Sequence, residues 1–483
     1  MTVQQRPEYH WLSVDTNETR FLSPLSSVVN ENMQLFCLSS EDKPNRMNAD
    51  GIWMVRGRAN GREVAVCWSD FRVKGASFSA NNCMRLQAFL KAISEQHIPL
   101  IFCINSLGFR FVEGRKMFDR VFAVIPALIK FKRQNLLITM CQGKCLGLGA
   151  MLFSLGHYRI AASPHASVNL TGPEVFQQFF GAKVDFQAIA GAEAVKKRTG
   201  LIHEVATDVK QAFLLAGRLM TTLAYKGSLP KLALPNLDDP ALQGILEDKS
   251  LIKAEIATVE CLLHLTRQGI ELFKGFDTRL KAFVIDIRGQ QVAMLMNPPD
   301  QINNMFSYRS LDLYQQAIAL FAALKLPLVL MIDTPGIDPR FDGDNKDIIQ
   351  KVVSVTDDLI HYPMPTVGVI NGRGFGGANT LALPKCYGAV ARYAIKGRAH
   401  IDVMHESIMK ELLSGSKNSL ENWQEIQAQQ DPHCSDMIDG EILDDIIPIE
   451  ALEERLWQDL FSDTCHQEMQ TLAEDVIQAP AAP

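Results

Sequence analysis

Two glycine-rich segments of the chain offer backbone N–H groups to an anion. They are Gly143–Ala150 (GKCLGLGA) and Gly372–Asn379 (GRGFGGAN), and each follows a short apolar run. Glycine at the start of a helix lets another group approach the N–H donors, whose partial positive charge favours an anion. In a water-poor site such donors stabilise an oxyanion that forms in the transition state, and a thioester enolate is one. A tight turn with close helix packing explains the same glycines, so both interpretations stay open.

The two segments belong to an internal repeat. Pro99–Gly108 (PLIFCINSLG) lies over Pro327–Gly336 (PLVLMIDTPG), 228 residues further on, and the glycine-rich segments begin 229 residues apart. A nearly constant offset indicates a duplicated unit. Two copies would provide two anion-stabilising turns, which suits a reaction between two carbonyl compounds. Lys144 and Arg373 occupy equivalent positions just before the glycines, where a cation could meet a phosphate or a carboxylate.

The elements between these motifs agree in order in the two copies. Apolar residues at helical spacing, or in short runs bounded by turn residues, predict them. In the first copy they are a helix at 81–96, a strand at 99–105, a helix at about 115–133 and strands at 135–141 and His157–Ser163. In the second copy they are a helix at 310–325, a strand at 327–333, a helix at about 345–361 and strands at 365–371 and Cys386–Arg392. Alternating strands and helices predict an α/β fold with mainly parallel sheets and right-handed crossovers.

The length of the chain supports two domains, because 483 residues exceed what one ordinary core covers. We predict tandem lobes at 1–240 and 241–483. The boundary is expected within 230–260, since Pro230, Pro235 and Pro240 punctuate a charged connector there.

Composition argues against several classes of protein. The net charge is −6 and no stretch is strongly basic, so a nucleic-acid partner has no electrostatic support. No apolar stretch approaches the roughly 20 residues of a membrane span, and Met1–Pro24 lacks the apolar region of a signal peptide. The ten cysteines lack the spacing of a disulfide framework or a zinc site. We therefore expect a reduced, cytoplasmic protein without a metal and without a membrane partner.

Polar residues near the motifs have a structural and a chemical interpretation each. Arg110 and Glu113 lie one helical turn apart and are predicted to form an ion pair. Asp333 ends a predicted strand, and we expect it to cap a turn rather than to act in catalysis. His203 and Glu204 are adjacent, so we expect them at the surface or at an interface rather than as an acid–base pair.

A series of motifs between about residue 50 and residue 458 resembles the carboxyltransferase subunit of biotin-dependent acyl-CoA carboxylases, such as the β subunit of propionyl-CoA carboxylase. Together the motifs follow the order of the family across both lobes. They are Gly61-Arg62 (family N-G-R), Asp70–Ser77 (D-F-T-V-x-G-G-S), Asn105–Arg110 with Glu113-Gly114 (D-S-G-G-A-R, then E-G), Gly143–Gly149 (G-P-C-A-G-G-A), Thr171–Val175 (T-G-P-[DE]-V), Gly191-Ala192 with Thr199–His203 (G-G-A, then S-G-V-A-H), Asp333–Gly336 (D-V-P-G), Phe375–Ala378 (Y-G-G-A) and Asp439–Pro448 (G-x-[IV]-D-x-[VI]-I-P).

The resemblance implies two tandem crotonase-like domains, the ββα spiral of the ClpP/crotonase type. It implies that the N lobe binds an acyl-CoA or acyl-carrier thioester and that the C lobe binds carboxybiotin. The site would lie between the N lobe of one subunit and the C lobe of another, in a homo-oligomer that is commonly a hexamer. Biotin would be carried on a separate protein and carboxylated by a separate biotin carboxylase, because the chain has no Met-Lys-Met carrier sequence.

The resemblance also assigns site residues. Gly376, Gly377 and Ala378 would form the oxyanion turn of the C lobe, where the ureido oxygen of biotin is held. Leu107 and Gly108 would form the oxyanion turn of the N lobe.

Five further residues would bind the acyl substrate: Gly147, Gly149, Phe109, Arg110 and Gly172. Leu107 and Phe109 depart from the family pattern D-S-G-G-A-R. We expect them either to narrow the acyl pocket and select a short or unusual acyl group, or to mark a loop that has moved.

Two other functions remain open at this point. One is a biotin-independent decarboxylase of malonyl-type thioesters, which would pass through the same enolate and need a proton donor such as His203. The other is a non-catalytic scaffold subunit that keeps the oligomeric fold, for which the departures at Leu107 and Phe109 speak.

Overall fold

The computed structural model describes residues 10–13, 31–37, 50–59, 62–181, 185–222, 265, 269–298, 304–340, 347–404, 406–414, 423, 436–439 and 442–461. The chain divides into two compact units, Met1–Ala224 and Tyr225–Pro483, called here the N-terminal and C-terminal units. The domain boundary predicted at 240/241 lies outside the described residues, as do Gly61 and Gly440 of the sequence motifs.

The N-terminal unit is built on one sheet with helices packed against it. Its strands are β1 His10–Ser13, β2 Glu31–Cys37, β3 Ile52–Ala59, β4 Arg62–Ser69, β5 Leu100–Ser106, β6 Leu137–Leu146, β7 Tyr158–Ala161, β8 Ser167–Asn169 and β9 Glu204–Val205. Its helices are α1 Ala80–Ser94, α2 Phe118–Phe122, α3 Val124–Gln134, α4 Leu148–Ser154, α5 Pro173–Phe180, α6 Phe186–Ala190, α7 Ala192–Thr199 and α8 Val209–Thr222. The order is β1-β2-β3-β4-β5-β6-β7-β9, with β8 beside β6. Pairing is antiparallel from β1 to β4 and parallel from β4 onward.

The C-terminal unit repeats this plan. Its strands are β10 Ile270–Leu272, β11 Lys281–Ile287, β12 Gln290–Met296, β13 Leu328–Thr334, β14 Thr366–Phe375, β15 Ala391–Ile395, β16 His400–Asp402 and β17 Asp445–Ile447. Its helices are α9 Tyr308–Ala323, α10 Ile348–Ile360, α11 Glu406–Leu413, α12 Asp436–Asp439 and α13 Leu452–Phe461. The order is β10-β11-β12-β13-β14-β15-β17, with β16 beside β14, and pairing is parallel from β12 onward. The predicted α/β class with mainly parallel sheets is confirmed.

The equivalent helices α1 and α9 begin in the same way. Ser79 and Asn82 form a reciprocal capping box at α1, and Ser307 and Ser310 form one at α9. Each box satisfies two N–H groups that a helix start leaves without intrahelical partners, and such a cap stabilises a helix by about 1 kcal/mol. The strands that follow, β5 and β13, are buried at nearly every residue, as is typical of parallel strands covered by helices.

Two predicted elements differ from the structure. The helix predicted at about 115–133 is broken into α2 and α3, which follow a short 3₁₀ turn at Arg115–Met117. The strand predicted at Cys386–Arg392 is wrong in register: the third strand is Ala391–Ile395, and Cys386 lies in a 3₁₀ turn, Lys385–Tyr387. The reason is that the chain between the glycine-rich turn and this strand is four residues longer in the second copy. Ile138 pairs with Tyr158, whereas its equivalent Val367 pairs with Ala391.

No helix within the described ranges is long and apolar enough to cross a membrane.

Candidate functional site

The glycine turn of the C-terminal unit, Gly376–Ala378, lies where β14 ends and a 3₁₀ helix, Gly376–Ala382, begins. Gly376 has φ +52°, and a Cβ there would lie 2.8 Å from the Val403 carbonyl oxygen, so only glycine fits. At Gly377 the nearest described atom to a Cβ would be Ile337 Cδ1, at 3.7 Å. The first N–H groups of a helix have no intrahelical acceptor, so those of Gly376 and Gly377 are placed to bind an anion or a carbonyl oxygen.

A cavity of about 360 Å³ opens at this turn. In the part of the chain that the structure describes, most of its wall is apolar side chain and glycine backbone, and one residue carries a charge. The lining residues are Pro335, Gly336, Arg373, Phe375, Gly376, Gly377, Val403, Met404 and Ile408. Such a pocket, apolar with a few converging polar groups, is the usual form of a small-molecule site.

The charged residue of the cavity wall is held by an acid from the neighbouring strand. The Arg373 Nε donates to Asp333 Oδ1 at 2.8 Å, and the Arg373 backbone N–H donates to the same oxygen at 3.0 Å. The Asp333 N–H in turn donates to Asn297 Oδ1 at 3.0 Å. A Cβ on Gly372 would lie 2.5 Å from Asp333 Cγ, so this glycine is what lets the carboxylate approach. The prediction that Asp333 caps a turn is wrong: its carboxylate accepts from Arg373 of β14, and the Thr334 hydroxyl accepts the Gly336 N–H in the turn after β13.

Two side chains hold the 3₁₀ helix in place through hydrogen bonds. The Tyr314 hydroxyl donates to the Leu381 carbonyl, and an Arg392 guanidinium nitrogen donates to Asn379 Oδ1. Arg392 is buried, and this burial lowers the pKa of its guanidinium. The glycine turn is therefore held by side chains of α9 and β15 as well as by its own backbone.

The N-terminal unit places Leu107 and Gly108 in the turn after β5. The Leu107 N–H donates to the Gly75 carbonyl at 3.1 Å, and the Gly108 N–H donates to Ser106 Oγ at 3.1 Å. Both donors are used inside the protein. The expectation that these two N–H groups stabilise an oxyanion is therefore corrected, because the turn satisfies them itself.

A second set of N–H groups in the N-terminal unit lies at the start of α4. Met151 donates to the Gly147 carbonyl and closes the first turn, so the groups from Leu148 to Ala150 have no intrahelical acceptor. We call Gly147–Ala150 the N-terminal glycine turn. It is the structural equivalent of the C-terminal glycine turn, although it opens an α-helix rather than a 3₁₀ helix.

Three predicted glycines meet at this turn. Gly108 has φ +93°, and a Cβ there would lie 3.1 Å from the Leu146 carbonyl oxygen and 3.5 Å from the Gly147 Cα. Gly147 has φ +55°, and its own N–H donates to the Asn169 carbonyl at 3.1 Å. A Cβ on Gly172 would lie 3.5 Å from Leu146 Cδ1. The structure thus brings Gly108 and Gly147 together through close backbone approach, and Gly172 lies beside the Leu146 side chain.

The other predicted substrate-binding residues point into the protein. Arg110 is buried, and its guanidinium donates to the Ser77 carbonyl and hydroxyl and to the Asp50 carbonyl. A Cβ on Gly149 would lie 3.3 Å from Ile104 Cγ2, so this glycine allows α4 to pack on β5. The expectation of substrate contact at Arg110 is corrected: its hydrogen bonds within the protein hold the turn.

The ring of Phe109 faces the rings of Phe118 and Phe122, with centroid distances of 5.9 and 5.5 Å. These edge-on contacts give Phe109, one of the two departures from the family motif, a role in aromatic packing. Leu107 is different, because its side chain covers Gly75 and is half exposed. Of the two residues expected to narrow an acyl pocket, only Leu107 presents its side chain to solvent.

Two further polar predictions are wrong. Glu113 does not pair with Arg110; its carboxylate accepts the N–H of Ala80 at 2.9 Å and so extends the cap of α1. His203 is fully buried, and its Nδ1 accepts the Arg159 N–H at 3.2 Å. This burial excludes the predicted position of His203 at the surface or at an interface. Over the described residues, no three His, Cys, Asp or Glu side chains gather as metal ligands.

Both units share a hydrogen bond that the sequence analysis did not predict. Lys144 donates its N–H to Asn105 Oδ1 at 2.9 Å, as Arg373 does to Asp333. The glycine before each basic residue faces that same side chain. The sequence signal for this bond is a short polar residue at the end of each strand, Asn105 in the first copy and Asp333 in the second.

Comparisons with known proteins cover most of the chain. The Carboxyl transferase domain family matches residues 20–250 and 285–478. The propionyl-CoA carboxylase beta chain of Rhodococcus erythropolis is 23% identical over 349 residues, covering 71% of this chain and 72% of the relative. The methylmalonyl-CoA carboxyltransferase 12S subunit of Propionibacterium freudenreichii subsp. shermanii is 24% identical over 350 residues, covering 72% and 67%.

A solved structure of a transcarboxylase 12S hexamer, with methylmalonyl-coenzyme A bound, is similar in fold. Its TM-score is 0.69 at 20% identity, with 95% of this chain and 90% of that chain covered. At this identity the likeness shows the fold, which is the two-domain crotonase-like fold of carboxyltransferases. Since the family match spans most of both units, the chain belongs to the carboxyl transferase family of biotin-dependent carboxylases.

Proposed function

We propose that this protein transfers a carboxyl group from carboxybiotin to an acyl-CoA. The observation that carries the proposal is the cavity at Gly376 and Gly377, in which backbone N–H donors and one cation stand in an apolar wall. Family membership supplies the reaction class, and the relatives named above act on propionyl-CoA or methylmalonyl-CoA.

The C-terminal cavity fits the biotin side of this reaction. Biotin has a neutral bicyclic body and a polar ureido carbonyl, so it suits apolar walls with N–H donors at one end. Gly377 leaves room for it, because the nearest described atom to a Cβ there is Ile337 Cδ1, at 3.7 Å. When bound, carboxybiotin would supply the carboxyl group and, after its loss, a basic nitrogen.

The chain's own residues would act through preorganised dipoles. Gly376 and Gly377 would hold the ureido oxygen in the C-terminal unit, with Ala378 buried behind them. In the N-terminal unit the N–H groups of Leu148 and Gly149 would hold the thioester oxygen as the enolate forms. Loss of one such donor typically costs about 10²–10³ in rate. The described residues that line the cavity include no carboxylate or imidazole that could serve as the base.

Separate partners would complete the reaction. A biotin carrier protein and a biotin carboxylase would supply the carboxyl donor, and acyl-CoA would accept it. Each unit also exposes large apolar side chains, among them Phe111 and Phe179 in the first and Ile349 and Val353 in the second. Apolar surface of this kind is expected where subunits meet, so we propose a homo-oligomer, with the hexamer of the transcarboxylase 12S structure as its form.

Incubation of the purified protein with malonyl-CoA or methylmalonyl-CoA and free biotin tests the proposal. We expect carboxyl label to move from the acyl-CoA to biotin in a biotin-dependent reaction. Release of CO₂ at the same rate without biotin would instead identify a decarboxylase. The buried position of His203 removes the proton donor first considered for that reaction. If calorimetry detects no binding of any acyl-CoA, the protein is a scaffold subunit.

A further inference from the structure

We propose that Arg373 binds the carboxylate that is being transferred and thereby distinguishes carboxylated from uncarboxylated biotin. This inference rests on the proposed function, because it concerns the ligand of the same cavity. It assigns a specificity-determining role to one side chain of the wall.

The first argument is the charge of the cavity. Among the described residues, nine line the cavity and Arg373 is the one with an ionisable side chain; the others are glycine, proline, phenylalanine, valine, methionine and isoleucine. The bicyclic body of biotin is neutral and gains nothing specific from a guanidinium. A carboxylate does, because arginine stays charged and donates in a planar fork that matches its two oxygens. A charge in an apolar wall is also less screened than one on an open surface.

The second argument is that this cation is held in place. Asp333 accepts from both the Nε and the backbone N–H of Arg373, at 2.8 and 3.0 Å, and Asn297 accepts the Asp333 N–H at 3.0 Å. The guanidinium is thus oriented before a ligand arrives, with its side chain 31% exposed. Little side-chain entropy is left to lose on binding.

The third argument comes from the equivalent position of the N-terminal unit. Lys144 takes the place of Arg373, and Asn105 takes the place of Asp333. A neutral amide accepts the backbone N–H of Lys144 equally well but does not pair with its ammonium group, which is exposed. The held cation is therefore a property of the C-terminal unit, where the carboxylated ligand is expected.

The chain offers a matched control. Arg340 donates its Nε to Asp338 Oδ1 at 2.8 Å, the same contact that Arg373 makes with Asp333. Its side chain is 65% exposed and it is not among the residues lining the cavity. Arg340→Gln removes the same kind of ion pair from the same unit without touching the cavity.

The test is equilibrium binding of two probes by calorimetry. One probe is biocytin; the other is biocytin whose ureido nitrogen carries a carboxymethyl group, a stable anion in place of the labile carboxylate. In the full-length protein we expect Arg373→Gln to weaken binding of the anionic probe about tenfold, with less than about a twofold change for biocytin. Arg373→Lys should restore part of the loss, because it keeps the charge without the planar fork. Arg340→Gln should match the wild type.

The outcomes separate this inference from the proposed function. Wild-type protein that binds neither probe overturns both. Wild-type protein that binds both, while Arg373→Gln weakens both equally or neither, overturns the role of Arg373 and leaves the proposed function standing. Should Arg373→Gln fail to fold, Asp333→Asn provides the second variant. It keeps an acceptor for the Arg373 N–H but loses the ion pair, so a smaller loss confined to the anionic probe is expected.

Discussion

The turns after β5 and β13 have the same hydrogen bonds but carry different side chains around them. Gly108 donates to Ser106 Oγ at 3.1 Å, and Gly336 donates to Thr334 Oγ1 at 3.2 Å. The carbonyls of the same two glycines accept from the N–H of Phe78 at 2.8 Å and of Phe306 at 3.0 Å. Duplication has therefore preserved the hydrogen bonds that shape the turn.

What differs between the units is the chemistry placed on that scaffold. The N-terminal unit has Asn105 and Leu107 where the C-terminal unit has Asp333 and Pro335. In the second unit the cavity wall carries a cation that is held by an acid behind it, whereas a neutral amide and a half-exposed leucine mark the first unit. The comparison teaches that backbone bonds carry the fold of these turns, so that side chains beside them are free to specialise.

The largest expected effect breaks the C-terminal glycine turn. Gly377→Val adds methyl groups at the cavity wall, and the nearest described atom to its Cβ is Ile337 Cδ1 at 3.7 Å, so the protein should fold normally. We expect the transfer rate to fall by on the order of 10²-fold or more, because the ligand oxygen no longer reaches the N–H donors. Gly377→Ala is the control and should lose much less. Unchanged turnover in well-folded Gly377→Val would exclude the turn from the site.

A second pair of changes compares the contacts of Asp333 and Asn105 at the ends of their strands. A Cβ at Gly372 would lie 2.5 Å from Asp333 Cγ, and one at Gly143 would lie 2.9 Å from Asn105 Oδ1. We expect Gly372→Ala to lower the free energy of unfolding by about 1–3 kcal/mol, because displacement of the carboxylate breaks a charge-assisted bond. Gly143→Ala should cost less, since its partner is a neutral amide. Urea unfolding measures both, and equal losses would contradict the asymmetry.

The smallest expected effect concerns the altered N-terminal turn. Leu107→Ala should shift the preference between acetyl-CoA and propionyl-CoA by about tenfold, because pocket space for one methylene is worth about 1–3 kcal/mol. Phe109→Ala should instead lower stability by about 1–3 kcal/mol without a shift in preference, since its ring packs on Phe118 and Phe122. Steady-state kinetics with both substrates, beside thermal unfolding, distinguishes them. A preference shift in Phe109→Ala alone would reverse the assignment.

Sequence periodicity was sufficient for the repeat and for most of its strands, because buried parallel strands are short apolar runs bounded by turns. It failed at Cys386–Arg392, since the constant offset of the repeat does not account for four extra residues in the second copy. The glycines of both turns could be predicted from their spacing. Which N–H groups remain available could not, because Leu107 is satisfied by Gly75, a residue brought to it by the fold. Arg110 was misread for the same reason: its partners Ser77 and Asp50 are distant in sequence.

The side-chain bonds from Tyr314 and Arg392 to the 3₁₀ helix have a thermodynamic consequence for any ligand of the C-terminal turn. A segment that folding has already immobilised has little conformational freedom left to lose when a ligand binds. Binding at Gly377 should therefore show a small ordering entropy, and amides of 376–382 should exchange slowly with solvent deuterium even in the free protein. Loosening of the segment by Tyr314→Phe would then appear as a less favourable entropy of binding at nearly constant enthalpy.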